Sequence, residues 1–105
     1  MVPLAKSSAL HELQRYVLEM EAERGFANRD VVQQCLLLGE EVGELFKAVR
    51  KRANMRVGTT SITGTVDEEL ADILIYVCAI ANRMGVDLEE ALRSKEELNE
   101  NRVWA

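Results

Sequence analysis

The chain has 105 residues, a formal net charge of −5, 48% hydrophobic residues and 30% charged residues. This length and composition predict a single globular domain, residues 1–105, with one modest hydrophobic core. The negative net charge argues against a broad basic surface for nucleic acid, although a cation can still join the acidic residues to a phosphorylated ligand. We recognise no secretory signal and no hydrophobic run long enough to span a bilayer, and we therefore expect a cytoplasmic protein with no membrane contact.

The first two predicted helices are separated by the segment RGFANRD. Hydrophobic residues spaced by three or four predict the first helix from about Leu4 or Ser8 to Arg24. The second helix is predicted from about Asp30, a suitable N-cap, to Ala53. Its apolar stripe has the 4-3-4-3-4 spacing that packing against another helix requires, and it consists of Val31, Cys35, Leu38, Val42, Leu45 and Val49.

The third and fourth helices follow the predicted loop NMRVGTTSITGT. Thr65 is expected to cap the third helix, Glu68 to complete a capping box, and Gly85 to end the helix. The apolar stripe of this helix repeats the spacing of the second, through Val66, Leu70, Ile73, Val77, Ile80 and Met84. The polar segment 86–102 predicts a fourth helix with Asp87 near its N-cap. Nothing predicts a strand, so the expected fold class is all-α, a four-helix bundle.

The middle of the third helix, ILIYVCAIA, is apolar on nearly every side. A helix of this kind is buried all round, which a 105-residue chain can hardly achieve while also covering the second apolar stripe. We therefore expect a homodimer or a tetramer that assembles through the central helices. Cys35 and Cys78 both lie in apolar segments, which predicts two buried free thiols.

Each central helix carries two carboxylates spaced i, i+3 at one edge of its apolar face. At about 100° per residue, Glu41 and Glu44 lie about 60° and 120° to the same side of the second helix's stripe. Glu69 and Asp72 lie about 40° and 100° to one side of the third helix's stripe. Glu40 points away from the packed face. The two acidic pairs are therefore expected to meet where the two helices pack.

Four carboxylates that meet without a cation would repel one another and lose hydration. A hard divalent ion such as Mg²⁺ offsets that charge, takes oxygen ligands and is commonly shared with substrate phosphates. Zinc and histidine-containing di-iron sites are disfavoured, because His11 is the single histidine. The alternative is that both pairs are solvated surface charges, as acidic i, i+3 pairs commonly are. The residues alone leave both interpretations open.

The segments EEVGEL, residues 40–45, and EELAD, residues 68–72, resemble the ordered acidic signature of the MazG-like nucleoside triphosphate pyrophosphohydrolases. These belong to an all-α superfamily that includes dimeric dUTPases and dCTP pyrophosphatases. The resemblance covers nearly the whole chain, including ERGF and a C-terminal Lys-x3-Asn-x2-Arg pattern. It implies a dimeric or tetrameric helical bundle that uses Mg²⁺, or Mn²⁺ in its place. The implied reaction cleaves a (deoxy)nucleoside triphosphate to a monophosphate and pyrophosphate, as in the removal of unwanted nucleotides.

The resemblance also implies roles for individual residues. Glu41, Glu44, Glu69 and Asp72 correspond to the metal ligands and catalytic acids. Glu40 is a further catalytic candidate that either orients the ligands, helps to activate water or is only a solvated neighbour. The residues expected to bind the phosphates are Lys47, Lys51, Lys95, Asn99 and Arg102, although cations late in a helix also favour its C-terminal dipole.

The sequence does not predict which base is bound. Four aromatic side chains could stack on a base, although packing is the alternative for each: Phe26, Tyr16, His11 and Trp104. Pyrimidine, purine and modified nucleotides all stay open. The competing functional hypothesis is a non-catalytic helical module that binds nucleotides or docks a basic partner through its acids.

Overall fold

The computed structural model describes residues 3–54 and 64–103, and these ranges contain four helices and no strands. The helices are α1 (Leu10–Arg24), α2 (Val31–Arg52), α3 (Val66–Met84) and α4 (Leu88–Glu100). The all-α prediction is confirmed. Most of the predicted loop, residues 55–63, lies outside the described residues, as does Trp104.

The ends of the helices follow from their capping residues. The Asp30 side chain accepts a 2.8 Å hydrogen bond from the Gln33 backbone, and the Thr65 hydroxyl accepts a 3.1 Å bond from the Glu68 backbone. Gly85 ends α3 with a φ of 65°, in the left-handed region where glycine is favoured. α1 begins later than predicted, at Leu10, because the carboxylate of Glu12 accepts a 3.1 Å bond from the Ala9 backbone and fixes the first turn there.

The hydrophobic core lies between α1 and α3. Val17 and Met20 of α1 pack against Cys78 and Ala79 of α3, and all four are at most 3% exposed. α2 packs along α3, whereas α4 packs mainly against α1. None of the helices in the described ranges is long and apolar enough to cross a membrane. The cytoplasmic location stays a prediction from the sequence.

α2 is rotated relative to the stripe that its sequence predicts. Its buried residues are Gln34 and Ala48, whereas Cys35 is exposed and Val49 is 49% exposed. The prediction of a buried thiol is therefore wrong for Cys35 within one chain and confirmed for Cys78. The rotation turns the face that carries Glu41 toward α3.

α3 is not covered on every side within a single chain. Cys78, Ala79 and Ala81 are buried, but Leu74 is 45% exposed and Leu70 is 51% exposed. The expectation that the ILIYVCAIA segment is buried all round is therefore not met by one copy of the chain. Assembly through this surface stays a prediction.

Candidate metal centre and adjoining cavity

Three of the predicted acidic residues come together where α2 passes the start of α3. Arg83 near the end of α3 donates a hydrogen bond to the carbonyl of Arg29, two residues before α2, so the two helices run antiparallel and the middle of α2 reaches the first turns of α3. Glu41, Glu69 and Asp72 each offer a carboxylate oxygen there, and these oxygens lie within 4.8 Å of one another. Glu41 and Asp72 are partly buried, and Glu69 is buried, with 7% of its surface exposed.

The crowding of these carboxylates changes the protonation of Glu41. The pKa of Glu41 is raised from 4.5 to about 7, most of all by burial, and also by a hydrogen bond with the Glu69 carboxylate and by the charges of Asp72, Glu69 and Glu44. At neutral pH the metal-free protein therefore holds a proton on this group for much of the time. One oxygen of Glu69, Oε2, is buried and has no hydrogen-bond partner in the described part of the chain.

Gly64 leaves room for the Glu69 carboxylate. A Cβ atom at this position would collide with Oε1 of Glu69. The absence of a side chain at Gly64 therefore allows the backbone before α3 to approach the acidic group closely. Sequence reasoning missed this residue, because the loop's glycines carry no sign of which one lies near an acid.

The remaining predicted acids lie outside the three-carboxylate group. Glu44 is one turn further along α2, and its Oε1 is 3.6 Å from the Lys47 ammonium nitrogen. It still lies close enough for its charge to affect Glu41. Glu40 is exposed, as the helical angles predict.

The predicted phosphate-binding residues are spread over two helices. Lys47 and Lys51 lie on the last turns of α2, and Lys47 faces Glu44. Lys95 and Arg102 are exposed on or just after α4, while Asn99 donates a 3.0 Å hydrogen bond to Glu96. None of the α4 residues lines the cavity that adjoins the acidic group.

A cavity of about 130 Å³ begins at Asp72 and extends between α1, the start of α2 and α3. The Phe26 ring lies in its wall, with the Arg29 guanidinium carbon 4.1 Å from the ring centroid. Of the three aromatic candidates within the described residues, Phe26 is the one beside the cavity, whereas Tyr16 packs on the core and His11 is exposed. The wall also contains Met20, Glu21, Arg24, Gln34, Ile75, Tyr76 and Ala79.

A buried polar network closes the end of the cavity formed by α1 and α2. Both terminal nitrogens of Arg83 donate 2.8 Å bonds to the two oxygens of Glu21, and Gln34 Nε2 donates a 2.8 Å bond to Glu21 Oε2. Arg83 also donates to the backbone carbonyls of Phe26 and Arg29. Its hydrogen bonds with Glu21 raise the pKa of Arg83 above its usual value. Sequence reasoning missed this network, because the predicted apolar stripe of α2 does not include Gln34 and periodicity gives no sign of its bond to Glu21.

Comparison with known proteins gives a family match over most of the chain. The model of the MazG nucleotide pyrophosphohydrolase domain matches residues 29–102. A curated relative, dCTP pyrophosphatase 1 of Mus musculus, is 34% identical over 98 residues, which cover 89% of this chain and 58% of the relative. A second, the dATP/dGTP diphosphohydrolase of Cyanophage S-2L, is 35% identical over 66 residues, covering 63% of this chain and 50% of the relative.

A solved structure is similar over nearly its whole length. The crystal structure of iMazG from Vibrio DAT 722 has 38% sequence identity to this chain and a TM-score of 0.64. The match covers 89% of this chain and 99% of the iMazG chain. By contrast, this chain spans only 58% and 50% of the lengths of these two curated relatives.

Proposed function

We propose that this chain, which belongs to the MazG nucleotide pyrophosphohydrolase family, hydrolyses a (deoxy)nucleoside triphosphate to a monophosphate and pyrophosphate with Mg²⁺. The observation that carries the proposal is the group of three carboxylates within 4.8 Å of one another. Relatives named for dCTP and for dATP and dGTP support a nucleotide substrate and a role in removing unwanted nucleotides.

The side chains of the acidic group fit a hard divalent ion. All the donors are carboxylate oxygens, and the buried Oε2 of Glu69 lacks a partner that a cation would supply. A bound Mg²⁺, or Mn²⁺ in its place, would also replace the proton that the raised pKa of Glu41 retains. When bound, such an ion supplies charge neutralisation for the triphosphate and a more acidic attacking water.

The residues of the chain then have separate tasks. Glu41, Glu69 and Asp72 hold the metal and fix the position of the triphosphate. Glu44, one turn away and paired with Lys47, would supply a fourth carboxylate for the metal. Glu40 faces outward, so its contribution is to orient its neighbours or to accept a proton from water.

The cations stabilise the phosphates. Lys47 and Lys51 are supplied by α2 of the same chain. Lys95, Asn99 and Arg102 lie on or just after α4, which packs mainly against α1, so we assign their contact with phosphate to a movement of α4 or to a second copy of the chain. The exposed leucines of α3 support the second route, because a homodimer or tetramer would cover them.

The cavity that begins at Asp72 is the proposed place for the nucleoside. It adjoins the acidic group, and the Phe26 ring in its wall offers a surface for a base. Its volume of 130 Å³ is below the roughly 300–1,000 Å³ of sites that enclose a whole drug-sized ligand. The cavity therefore suits the base, with the phosphates at the acidic group outside it.

A screen for released pyrophosphate tests the proposal. Common and modified NTPs and dNTPs are incubated with the protein, with Mg²⁺ and with excess chelator, and the products are separated by ion chromatography. We expect Mg²⁺-dependent formation of monophosphate and pyrophosphate from at least one nucleotide. Diphosphate and orthophosphate as the primary products would contradict the proposed reaction, and no turnover of any nucleotide would favour the non-catalytic module.

A further inference from the structure

We propose that Gln34 determines base specificity: its side-chain oxygen accepts a hydrogen bond from the exocyclic amino group of a nucleobase in the cavity. The inference rests on the proposed function for the identity of the ligand. It concerns a residue that neither the acidic signature nor the predicted phosphate-binding set includes. The preferred class of substrate is then a nucleotide with an amino-bearing base such as cytosine or adenine.

The first observation is an unsatisfied buried oxygen. Gln34 is 2% exposed, and its Oε1 has no hydrogen-bond partner in the described ranges. A buried polar atom left without a partner costs about 1–3 kcal/mol, so such atoms are rare unless a ligand or an ordered water completes them. Gln34 is one of the residues that line the cavity, so we take a ligand seated there as the source of the missing donor.

The second observation is that the orientation of the Gln34 amide is fixed. A carboxylate can only accept hydrogen bonds, so the 2.8 Å contact with Glu21 Oε2 must be made by the Gln34 NH₂ group. Glu21 is itself held by both terminal nitrogens of Arg83, each at 2.8 Å. The network therefore prevents the amide from turning, and it keeps the Gln34 oxygen available as an acceptor.

The third observation is the position of Gln34 relative to the acidic group. Gln34 and Glu41 are seven residues apart on the buried face of α2, which separates them by about 10.5 Å along the helix axis. Asp72 and Gln34 both line the same cavity. A nucleotide with its phosphates at the acidic group can therefore extend along α2 and bring the far edge of its base to Gln34.

A keto oxygen at this edge of the base would be disfavoured. It would meet the oxygen of Gln34 and the carboxylate of Glu21, which also lines the cavity. To find a donor it would have to turn toward Arg29, the Tyr76 hydroxyl or the second N–H of the Gln34 amide. An amino group, by contrast, donates to an acceptor without moving the network, and sites built on such a hydrogen bond discriminate strongly against analogues that lack it.

Binding of matched monophosphates tests this inference without depending on hydrolysis. Affinities for dCMP against dUMP, and for dAMP against dIMP, are measured by calorimetry on the wild type, on Gln34→Met and on the control Gln33→Met. Each pair of nucleotides differs in an amino or a keto group and in the hydrogen on the adjacent ring nitrogen. The control changes the neighbouring glutamine, which is exposed and bonds to Asp30 at the helix start.

We expect the wild type and Gln33→Met to bind the amino member of each pair more tightly. Gln34→Met should reduce that preference by about tenfold, which corresponds to about 1.4 kcal/mol. A wild type that binds both members equally, or the keto member better, would overturn the inference. So would a Gln34→Met protein that keeps the wild-type preference.

Two further outcomes separate this inference from the proposed function. If the protein releases pyrophosphate but shows no amino preference, the role of Gln34 is wrong and the activity stands. If it binds amino-bearing monophosphates through Gln34 but hydrolyses no triphosphate, the activity is wrong and the role of Gln34 stands. If Gln34→Met does not fold, NMR of the wild-type protein tests the inference through the side-chain amide signals of Gln34. These signals should shift more on addition of dCMP than on addition of dUMP. Equal shifts would overturn the inference.

Discussion

At the scale of single residues, the chemistry of the site is concentrated in the protonation of Glu41. Its pKa is about 7 in the folded, metal-free protein and 4.5 in an ordinary environment. The folded state therefore binds this proton more tightly than the unfolded state does. The contribution of Glu41 to stability is fully present below pH 4.5 and is lost as the pH rises through about 7.

Replacing Glu41 with Gln should remove that pH dependence. The neutral amide cannot lose a proton. In the presence of chelator, the melting temperature of the Glu41→Gln protein should therefore vary less than that of the wild type between pH 4.5 and about 7. Glu40→Gln, on the exposed neighbour, should behave as the wild type. Identical pH profiles for the wild type and Glu41→Gln would show that Glu41 does not hold this proton.

Metal binding should stabilise the protein through the same group of carboxylates. Mg²⁺ or Mn²⁺ should raise the wild-type melting temperature, because a ligand that binds only the folded state stabilises it. Glu69→Gln should abolish most of that rise while leaving the metal-free protein no less stable, since it removes a charge from a crowded site. An equal response to metal in both proteins would place the metal elsewhere.

The approach of these acidic residues could be predicted from the sequence, but their surroundings could not. Helical spacing alone put Glu41, Glu69 and Asp72 at the edges of faces that pack together. The bond between Gln34 and Glu21 depends on how two separate helices meet in space, and the close approach of Gly64 to Glu69 depends on the path of the backbone just before α3. Hydrophobic periodicity predicts neither contact.

At the scale of the helices, local signals fixed the ends better than the packed faces. Asp30, Thr65 and Asp87 cap their helices as predicted, because capping depends on residues only three positions apart. The buried face of α2 was harder to predict, since Gln34 is buried and Cys35 is exposed. The buried Gln34 is satisfied in part by Glu21 of another helix, which hydrophobic periodicity does not reveal.

Arg83 should be the side chain on which the mutual placement of α1, α2 and α3 most depends. Arg83→Met would leave the buried carboxylate of Glu21 without its cation, at a cost of about 3–5 kcal/mol in unfolding free energy. The control Arg93→Met breaks an exposed pair with Glu89 on α4 and should cost at most about 1 kcal/mol. Chemical denaturation at one fixed protein concentration measures both, and equal losses would contradict this account of Arg83.

At the scale of the whole molecule, one chain covers its apolar surface incompletely. The radius of gyration is 16.3 Å, against about 13 Å expected for a compact domain of this length. Leu70, Leu74 and Met84 follow one face of α3 and are 45–61% exposed. The sequence predicted this excess of apolar surface, but which residues remain uncovered became clear only from the packing of α1 and α2.

We expect a stable homodimer or tetramer with α3 at its interface. Light scattering at micromolar concentration should show the assembly, and Leu74→Lys should dissociate it by placing a charge in the interface. Leu18→Lys, at a 57% exposed position on α1, is the matched control and should leave the assembly intact. A well-folded wild-type monomer at that concentration would contradict the prediction.

Turnover by single and double variants tests most directly whether the acidic residues form one site for metal and triphosphate. Initial rates of pyrophosphate release are compared for Glu41→Gln, Glu44→Gln, Glu69→Gln, Asp72→Asn and their pairs, with Glu68→Gln on the outward face of α3 as the control. We expect each of the four single variants to lose orders of magnitude in rate, and each double variant to be scarcely worse than its poorer parent, because residues that act as a unit are non-additive. Glu68→Gln should retain most activity and Glu40→Gln should fall between. Single variants that keep near-wild-type rates, or losses that multiply in the doubles, would contradict the account.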